Sequence, residues 1–375
     1  VDKIKKIWIW IWAMVLFSGC LVADQLKWNN YNELNAYTAY CTLDSDSIKL
    51  ASRQANYSSI ETFNDLSLGD WTVNTSVEFI KHSRMVNYAL KQSLQSNEYI
   101  NINELALGYA ITPRDIITVG QMSFKKGAFY EYAYNGRENS DGLFTLYHMN
   151  FQGVVWTHHL YNRTRVKVGA VIKSLVDIDT TVGSMKEIKP SSRMIFMFAS
   201  DQRDMTDNII LTTKLNLSVA DMTTKTNPAS QRLFLAGYGT SIDARADSGW
   251  LAYTIFGASS LEVDNVRRNG YSILMGVRRD YNPEFIDSEM FYGAEVYHSS
   301  KYWNSVVPGQ PETAYGSGKL GNTYQAYIGI KPKPSVSLKL RYCITQNNYT
   351  RVTPVNVTEA DIKQKVLLLN LGVSF

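Results

Sequence analysis

The last eleven residues, Lys365-Val366-Leu367-Leu368-Leu369-Asn370-Leu371-Gly372-Val373-Ser374-Phe375, constrain the fold of this chain more than any other stretch. Leu367, Leu369, Leu371, Val373 and Phe375 occupy alternate positions, with Asn370, Gly372 and Ser374 between the later ones. A period of two puts the large apolar set on one face of a β-strand and the small polar set on the other. An ordinary strand of a soluble β-protein satisfies this alternation, and so does a strand of a membrane barrel. Other parts of the chain must separate the two.

Lys3, Lys5 and Lys6 precede an unbroken apolar run, Ile7 to Phe17, and small residues follow in Ser18 to Ala23. This is the layout of a secretory signal peptide. The run is shorter than the ~20 residues a spanning helix needs. The expected division is a signal peptide at 1–23 and a single domain at 24–375. Leu16-Phe17-Ser18-Gly19-Cys20 offers an alternative, a lipoprotein box with Cys20 as the lipidated residue, although Phe17 is bulkier than that motif uses. Beyond residue 23 no apolar run reaches the length of a membrane helix. A chain that spans a bilayer without helices must close into a barrel, because lipid offers no partner to backbone N–H and C=O groups. Two cysteines, Cys41 and Cys343, remain beyond residue 23, too few for a disulfide scaffold. The formal charge is +4. Removing residues 1–23, with three Lys and one Asp, leaves about +2, which gives no basis for nucleic-acid binding. No repeat and no linker divides the chain.

Sixteen strand candidates follow from alternation and turn signals, near residues 35–42, 47–58, 70–80, 102–112, 116–124, 145–157, 165–174, 192–200, 208–220, 231–240, 250–258, 270–279, 289–298, 323–330, 335–346 and 365–375. Three are especially clear. Ile209, Leu211, Leu215, Leu217 and Val219 oppose Thr212, Lys214, Asn216 and Ser218. Val166, Val168, Ala170 and Ile172 oppose Arg165, Lys167, Gly169 and Lys173. Val336, Leu338, Leu340, Tyr342 and Ile344 oppose Ser337, Lys339, Arg341 and Cys343. Charge on every second residue suits a face that lines a wet lumen.

Connection lengths alternate as well. Those after even-numbered strands are short: 113–115, 158–164, 201–207, 280–288 and 331–334. Those after odd-numbered strands are mostly long: 81–101, 125–144, 175–191, 299–322 and 347–364; the first, 43–46, is short. Short turns at one rim and long loops at the other are the asymmetry of transmembrane barrels. Trp71, Trp250 and Phe375 fall at the short-turn ends, where an aromatic girdle lies.

The whole pattern resembles the sixteen-stranded porins of Gram-negative bacteria. Leu371, Val373 and Phe375 resemble the C-terminal signal that the barrel-assembly machinery reads in such proteins. Leu107-Gly108-Tyr109-Ala110-Ile111-Thr112, and Gly293-Ala294-Glu295-Val296-Tyr297-His298 running into Lys301-Tyr302-Trp303, are similar to an uncharacterised porin-like family of campylobacteria-type organisms. The resemblance implies an all-β transmembrane antiparallel barrel of about sixteen strands, with short periplasmic turns and long extracellular loops, in the bacterial outer membrane. Its implied partners are outer-membrane lipid and lipopolysaccharide, the assembly machinery and sister subunits of a homo-trimer. It implies no cofactor and no nucleic acid.

On this reading the interior wall carries Arg165, Lys167, Lys173, Arg193, Lys214, Arg278, Lys339 and Arg341 against Glu78, Glu104 and Glu295, a basic excess that favours anions. In general porins the third outside loop narrows the channel. Here that loop is 125–144, with Lys125, Lys126 and Arg137 against Glu131, Glu138 and Asp141; a surface loop, or a platform of Phe129, Tyr130, Tyr132 and Tyr134 for stacking solutes, are the competing readings. Gly316-Ser317-Gly318-Lys319-Leu320-Gly321 matches a dinucleotide fingerprint in letters only, since a strand rather than a helix follows. His158-His159 could suggest a metal, but adjacent residues of an extended chain point to opposite faces and do not easily chelate together; the pair is read as marking a periplasmic turn. The expected function is diffusion of small hydrophilic solutes. A structural or adhesive barrel with a blocked lumen and an outer-membrane enzyme are the alternatives.

Overall fold

The computed structural model describes residues 26–45, 48–88, 91–123, 150–161, 163–174, 193–222, 231–284, 286–304, 320–351 and 355–375. The expected signal peptide, Cys20 and the connection 125–144 lie outside the described residues. Sixteen antiparallel strands form one closed barrel, and no helix is present among the described residues. In chain order they are β1 Leu26–Ser45, β2 Ile48–Leu68, β3 Trp71–Tyr88, β4 Lys91–Thr112, β5 Asp115–Ser123, β6 Asn150–Tyr161, β7 Thr164–Ser174, β8 Arg193–Thr206, β9 Ile209–Met222, β10 Gln231–Ala244, β11 Trp250–Val263, β12 Val266–Tyr281, β13 Glu289–Ser299, β14 Gly321–Lys333, β15 Val336–Arg351 and β16 Val357–Ser374. Each of the sixteen expected segments overlaps a strand of its own.

Every strand pairs with its sequence neighbours, and β1 pairs with β16 to close the ring. At that seam Asn32 N–H donates to Phe375 O at 2.7 Å, and Phe375 N–H donates to Asn32 O at 3.0 Å. Leu367, Leu369, Leu371, Val373 and Phe375 point outward, with Phe375 67% exposed, while Val366, Leu368 and Asn370 are buried inside. Cys41 and Cys343 face the interior and pair with Val366 from its two sides, so a full strand separates them.

Three expectations about connections need correction. The expected connection 347–364 is mostly strand, with β15 and β16 paired out to Arg351↔Val357. Residues 81–101 are not a loop: β3 and β4 continue through them to Tyr88↔Lys91. The stretch is polar because the strands there have left the apolar band, and polar residues at the end of a strand look like a loop in sequence. β1 to β4 run 18 to 22 residues each, about twice what a tilted strand needs to cross a bilayer. β11 and β12 are likewise longer than expected and meet in a two-residue turn. Asp264 and Asn265 both take positive φ there, the geometry of a type I′ hairpin. At the opposite rim the turns are short, as the spacing predicts; Gly69, at φ 57°, makes the turn between β2 and β3.

The outward surface has a clear band structure. On β12, Arg267 and Arg279 both point outward, and Asn269, Tyr271, Ile273, Met275 and Val277 lie between them. The twelve intervening steps, at about 3.3 Å each on a strand tilted about 40°, give a height of about 30 Å, that of a bilayer core. Trp71 against Tyr109, and Trp250 beneath the Arg279 guanidinium at 5.4 Å, mark the short-turn side. An outward-facing apolar band of this height, wrapped around an interior rich in ionisable groups, is the inverse of a soluble β-protein.

Candidate functional site

The interior wall collects the ionisable residues, with an acidic row on β1–β3 and groups of both signs elsewhere. Glu33, Glu61 and Glu78 occupy one cross-strand row on β1, β2 and β3, through Glu33↔Glu61 and Glu61↔Glu78, and are 8%, 6% and 7% exposed. Like charges directly opposite each other repel unless donors are shared among them. The donor comes from a β-bulge. Ser76 pairs with Glu104 and Val77 with Ile102, which leaves Asn103 as the extra residue, turned inward and fully buried. Asn103 Nδ2 donates to Glu61 Oε1 at 2.9 Å and to Glu78 Oε2 at 3.0 Å. The Tyr57 hydroxyl adds a bond to Glu78 Oε1 at 2.8 Å, and Ser76 Oγ donates to Glu61. Glu104 faces the same interior from β4.

The basic residues come from the other strands. Arg165 and Lys167 on β7, Lys214 on β9, Arg278 on β12, and Lys339 and Arg341 on β15 all point inward. Arg278 and Arg341 lie in one row, separated by Gly293 and Tyr327. Arg278 pairs with Asp280 and stacks over the Phe291 ring at 4.3 Å. Arg245 bonds Asp243 at 2.6 Å and reaches Asp280 at 3.7 Å. Glu295 is enclosed by the Tyr253 hydroxyl and Gln325 Nε2, and Arg341 Nη1 donates to Gln325 Oε1 at 3.3 Å. Tyr253 reaches Glu295 across β12 because Gly276 lies beneath it; a Cβ at that position would come within 2.3 Å of Tyr253 Cζ.

Ten of the expected wall residues are therefore described, and nine of them face inward: Arg165, Lys167, Lys214, Arg278, Lys339, Arg341, Glu78, Glu104 and Glu295. The side chain of Lys173 is outside the described residues, as are Lys125, Lys126, Glu131, Arg137, Glu138 and Asp141. Arg193 is a correction. It is exposed on the outer face of β8, because Met194, Phe196 and Phe198 take the interior. Both faces of this strand are apolar, so alternation does not reveal its parity. The basic excess is corrected too: Glu33, Glu61, Asp243 and Asp280 join the acidic side, with an acidic row on β1–β3 and groups of both signs interleaved on β10–β15. Asn103 was not legible as an inward donor, since a bulge leaves no periodic signal.

The interior is also narrowed by chain. After β13, Ser300–Asn304 folds inward over Gly270 of β12, with Asn304 N–H donating to Ser259 Oγ at 3.0 Å. Trp303 is fully buried in an apolar cluster with Leu261, Val263, Phe196 and Leu320. The sequence signal was a glycine in mid-strand, which marks close approach of another backbone.

Among the described residues, the His158–Asp115 contact on the outer wall lacks catalytic geometry. His158 Nδ1 lies 2.8 Å from Asp115 Oδ1, but the nearby Thr112 hydroxyl donates to Asp115 Oδ2 at 2.6 Å and not to the imidazole. A nucleophile would need the opposite order. Among the described residues no group of His, Cys, Asp and Glu is arranged to hold a metal ion.

A family model described as "Protein of unknown function (DUF3373)" matches residues 122–366. No curated protein matches the sequence. Among solved structures, Pseudomonas putida OprB at low pH is 10% identical, with 96% of each chain covered and a TM-score of 0.52. The anion-selective porin from Comamonas acidovorans is 10% identical, covering 93% of this chain and 100% of that one, at a TM-score of 0.52. A loop L8 deletion mutant of OmpT, an outer membrane protein of Vibrio cholerae, is 12% identical, covering 94% and 100%, at 0.54. At these identities the likeness is one of fold, that of outer-membrane barrels.

Proposed function

This chain belongs to the DUF3373 family, and on that premise we propose that it is an outer-membrane porin through which small hydrophilic solutes diffuse. The observation that carries the reading is the inversion of the barrel: a charged interior wall inside a band of outward apolar side chains. Such a wall has no stabilising value that an apolar core would not exceed, because buried charge costs desolvation. It is what a water-filled path requires. The short-turn rim, with Trp71, Trp250 and Phe375, is then periplasmic, and the tall β1–β4 wall rises on the extracellular side.

The acidic row on β1–β3 and the arginine- and lysine-bearing β12–β15 side give the path two flanks. Anions are drawn towards the Arg278, Lys339 and Arg341 group, and cations towards Glu33, Glu61 and Glu78. The protein needs no cofactor and performs no catalysis. Anion preference holds to the extent that solutes pass beside the β12–β15 flank.

A second reading, a structural or adhesive barrel with a closed lumen, is favoured by the apolar cluster around Trp303. Single-channel recording of the refolded protein in planar bilayers separates the two. Steady ohmic steps are expected of the porin; a silent, correctly folded barrel overturns it in favour of the closed one.

A further inference from the structure

One outward-facing row on the long-loop side is built unlike the rest of the described wall. Arg193, Asp221, Arg232, Glu262 and Arg267 stand side by side on five consecutive strands, β8 to β12, through the pairs Arg193↔Asp221, Asp221↔Arg232, Arg232↔Glu262 and Glu262↔Arg267. Their charges alternate and leave one positive in excess. Arg232 Nε lies 3.0 Å from Asp221 Oδ1, and Arg267 Nε lies 3.9 Å from Glu262 Oε2. Arg267 also covers the Phe234 ring at 5.8 Å.

Directly below this row the wall is hollowed. The next row inward is Ile195, Val219, Phe234, Ser260 and Asn269, and the one after it is Met197, Leu217, Ala236, Ala258 and Tyr271. Ala236 and Ala258 are cross-strand neighbours set between Leu217 and Tyr271, so two missing side chains leave a depression. It has a volume of about 690 Å³ and runs across these rows and Val168. Apolar side chains form nearly all of its surface.

We propose that this part of the wall is a binding site for a phosphorylated lipid of the outer leaflet. Its phosphate sits on the guanidinium row, and one acyl chain lies in the depression over Ala236 and Ala258. Guanidinium is suited to phosphate, which it binds through paired N–H donors. The row stands about 30 Å from the Trp250 girdle, at the level where headgroups meet hydrocarbon. A second copy of the barrel fits less well. It would have to bury the ion-paired row, at a desolvation cost the pairs do not recover, and a convex wall leaves a concave depression unfilled. The proposal depends on the outer-membrane location and not on conduction: a barrel that holds lipid and passes no current retains this site and loses the porin reading.

The test uses the full-length barrel in detergent and native mass spectrometry, with diphosphorylated lipid A and its dephosphorylated form as probes. Wild type should retain the phosphorylated lipid in preference to the other. Arg193→Gln/Arg232→Gln/Arg267→Gln should weaken retention about tenfold, the scale of one to two cations facing anionic headgroups. Ala236→Leu/Ala258→Leu, which fills the depression and leaves the charges, should weaken both lipids. Lys365→Gln, an exposed outward cation on β16 away from the row, should change neither. A gel shift between unboiled and boiled samples confirms that each variant is folded. Equal retention of both lipids by wild type, or retention by the triple variant at the wild-type level, overturns the proposal. So does a lipid-free dimer that the depression-filling variant dissociates, which would give this face to a second copy.

Discussion

Glu61 and Glu78 face each other across β2 and β3, and a single side-chain nitrogen, Asn103 Nδ2, donates to both. The bulge that places Asn103 there is what allows two adjacent carboxylates to be tolerated inside the barrel. Asn103→Ala removes the shared donors and leaves the repulsion. We expect a loss of about 1–3 kcal/mol, the cost of leaving buried polar groups unsatisfied. Adding Glu78→Gln in the same chain should restore part of it. Urea unfolding in detergent micelles, followed by tryptophan fluorescence, measures both. Equal midpoints for Asn103→Ala and wild type would show that the bridge contributes nothing.

Gly276 is required by the side chain that crosses it. Gly276→Val should displace Tyr253 from Glu295 and destabilise the barrel by about 1–3 kcal/mol, as overpacking does. Tyr253→Ala in the same chain should recover much of this, because the space conflict is gone. A cycle of the two single variants and the double reads the coupling directly. Additive effects would place the cause elsewhere.

Lys339→Glu/Arg341→Glu should move the zero-current potential in a KCl gradient towards cation preference. Glu61→Gln/Glu78→Gln should move it towards anions. Both shifts should shrink in 1 M salt, where the screening length falls to about 3 Å. If neither pair alters the potential, the permeating ions do not pass these flanks.

Trp303→Ala opens the cluster where the segment after β13 folds inward. Larger single-channel conductance is the expected result. The same conductance as wild type would put Trp303 outside the solute path.

Phe375→Ala should reduce the share of chain that runs as folded barrel in unboiled samples from outer membranes several-fold. The backbone bonds between Phe375 and Asn32 need no aromatic ring, so refolding of the purified variant in detergent should be close to normal. A refolding defect of equal size would mean that the ring acts through stability and not through recognition during assembly.

Strand positions were legible because apolar and polar residues alternate cleanly on β7, β9, β15 and β16. Parity failed on β8, where Met194, Phe196 and Phe198 fill the interior while Ile195 and Met197 meet the outside. A strand apolar on both faces carries no sign of which is inward, and Arg193 was turned the wrong way for that reason. Alternation also cannot find residues whose roles depend on register. Glu33, Glu61 and Glu78 lie far apart in sequence, and only the pairing of β1, β2 and β3 sets them in a row. Arg193, Asp221, Arg232, Glu262 and Arg267 became a row in the same way.

The Asn32–Phe375 seam has a consequence for timing. The strand that closes the ring is the sixteenth in chain order, and its partner is the first of the sixteen. Until β16 is in place β1 has only β2 beside it, and its other edge stays open. The entropy of joining such distant ends grows only slowly with their separation, so the burden falls on rate more than on stability, as it does wherever native contacts are remote in sequence. A chain in which β16 has not yet docked therefore carries an open edge at β1, and folding requires that strand to be shielded until β16 arrives.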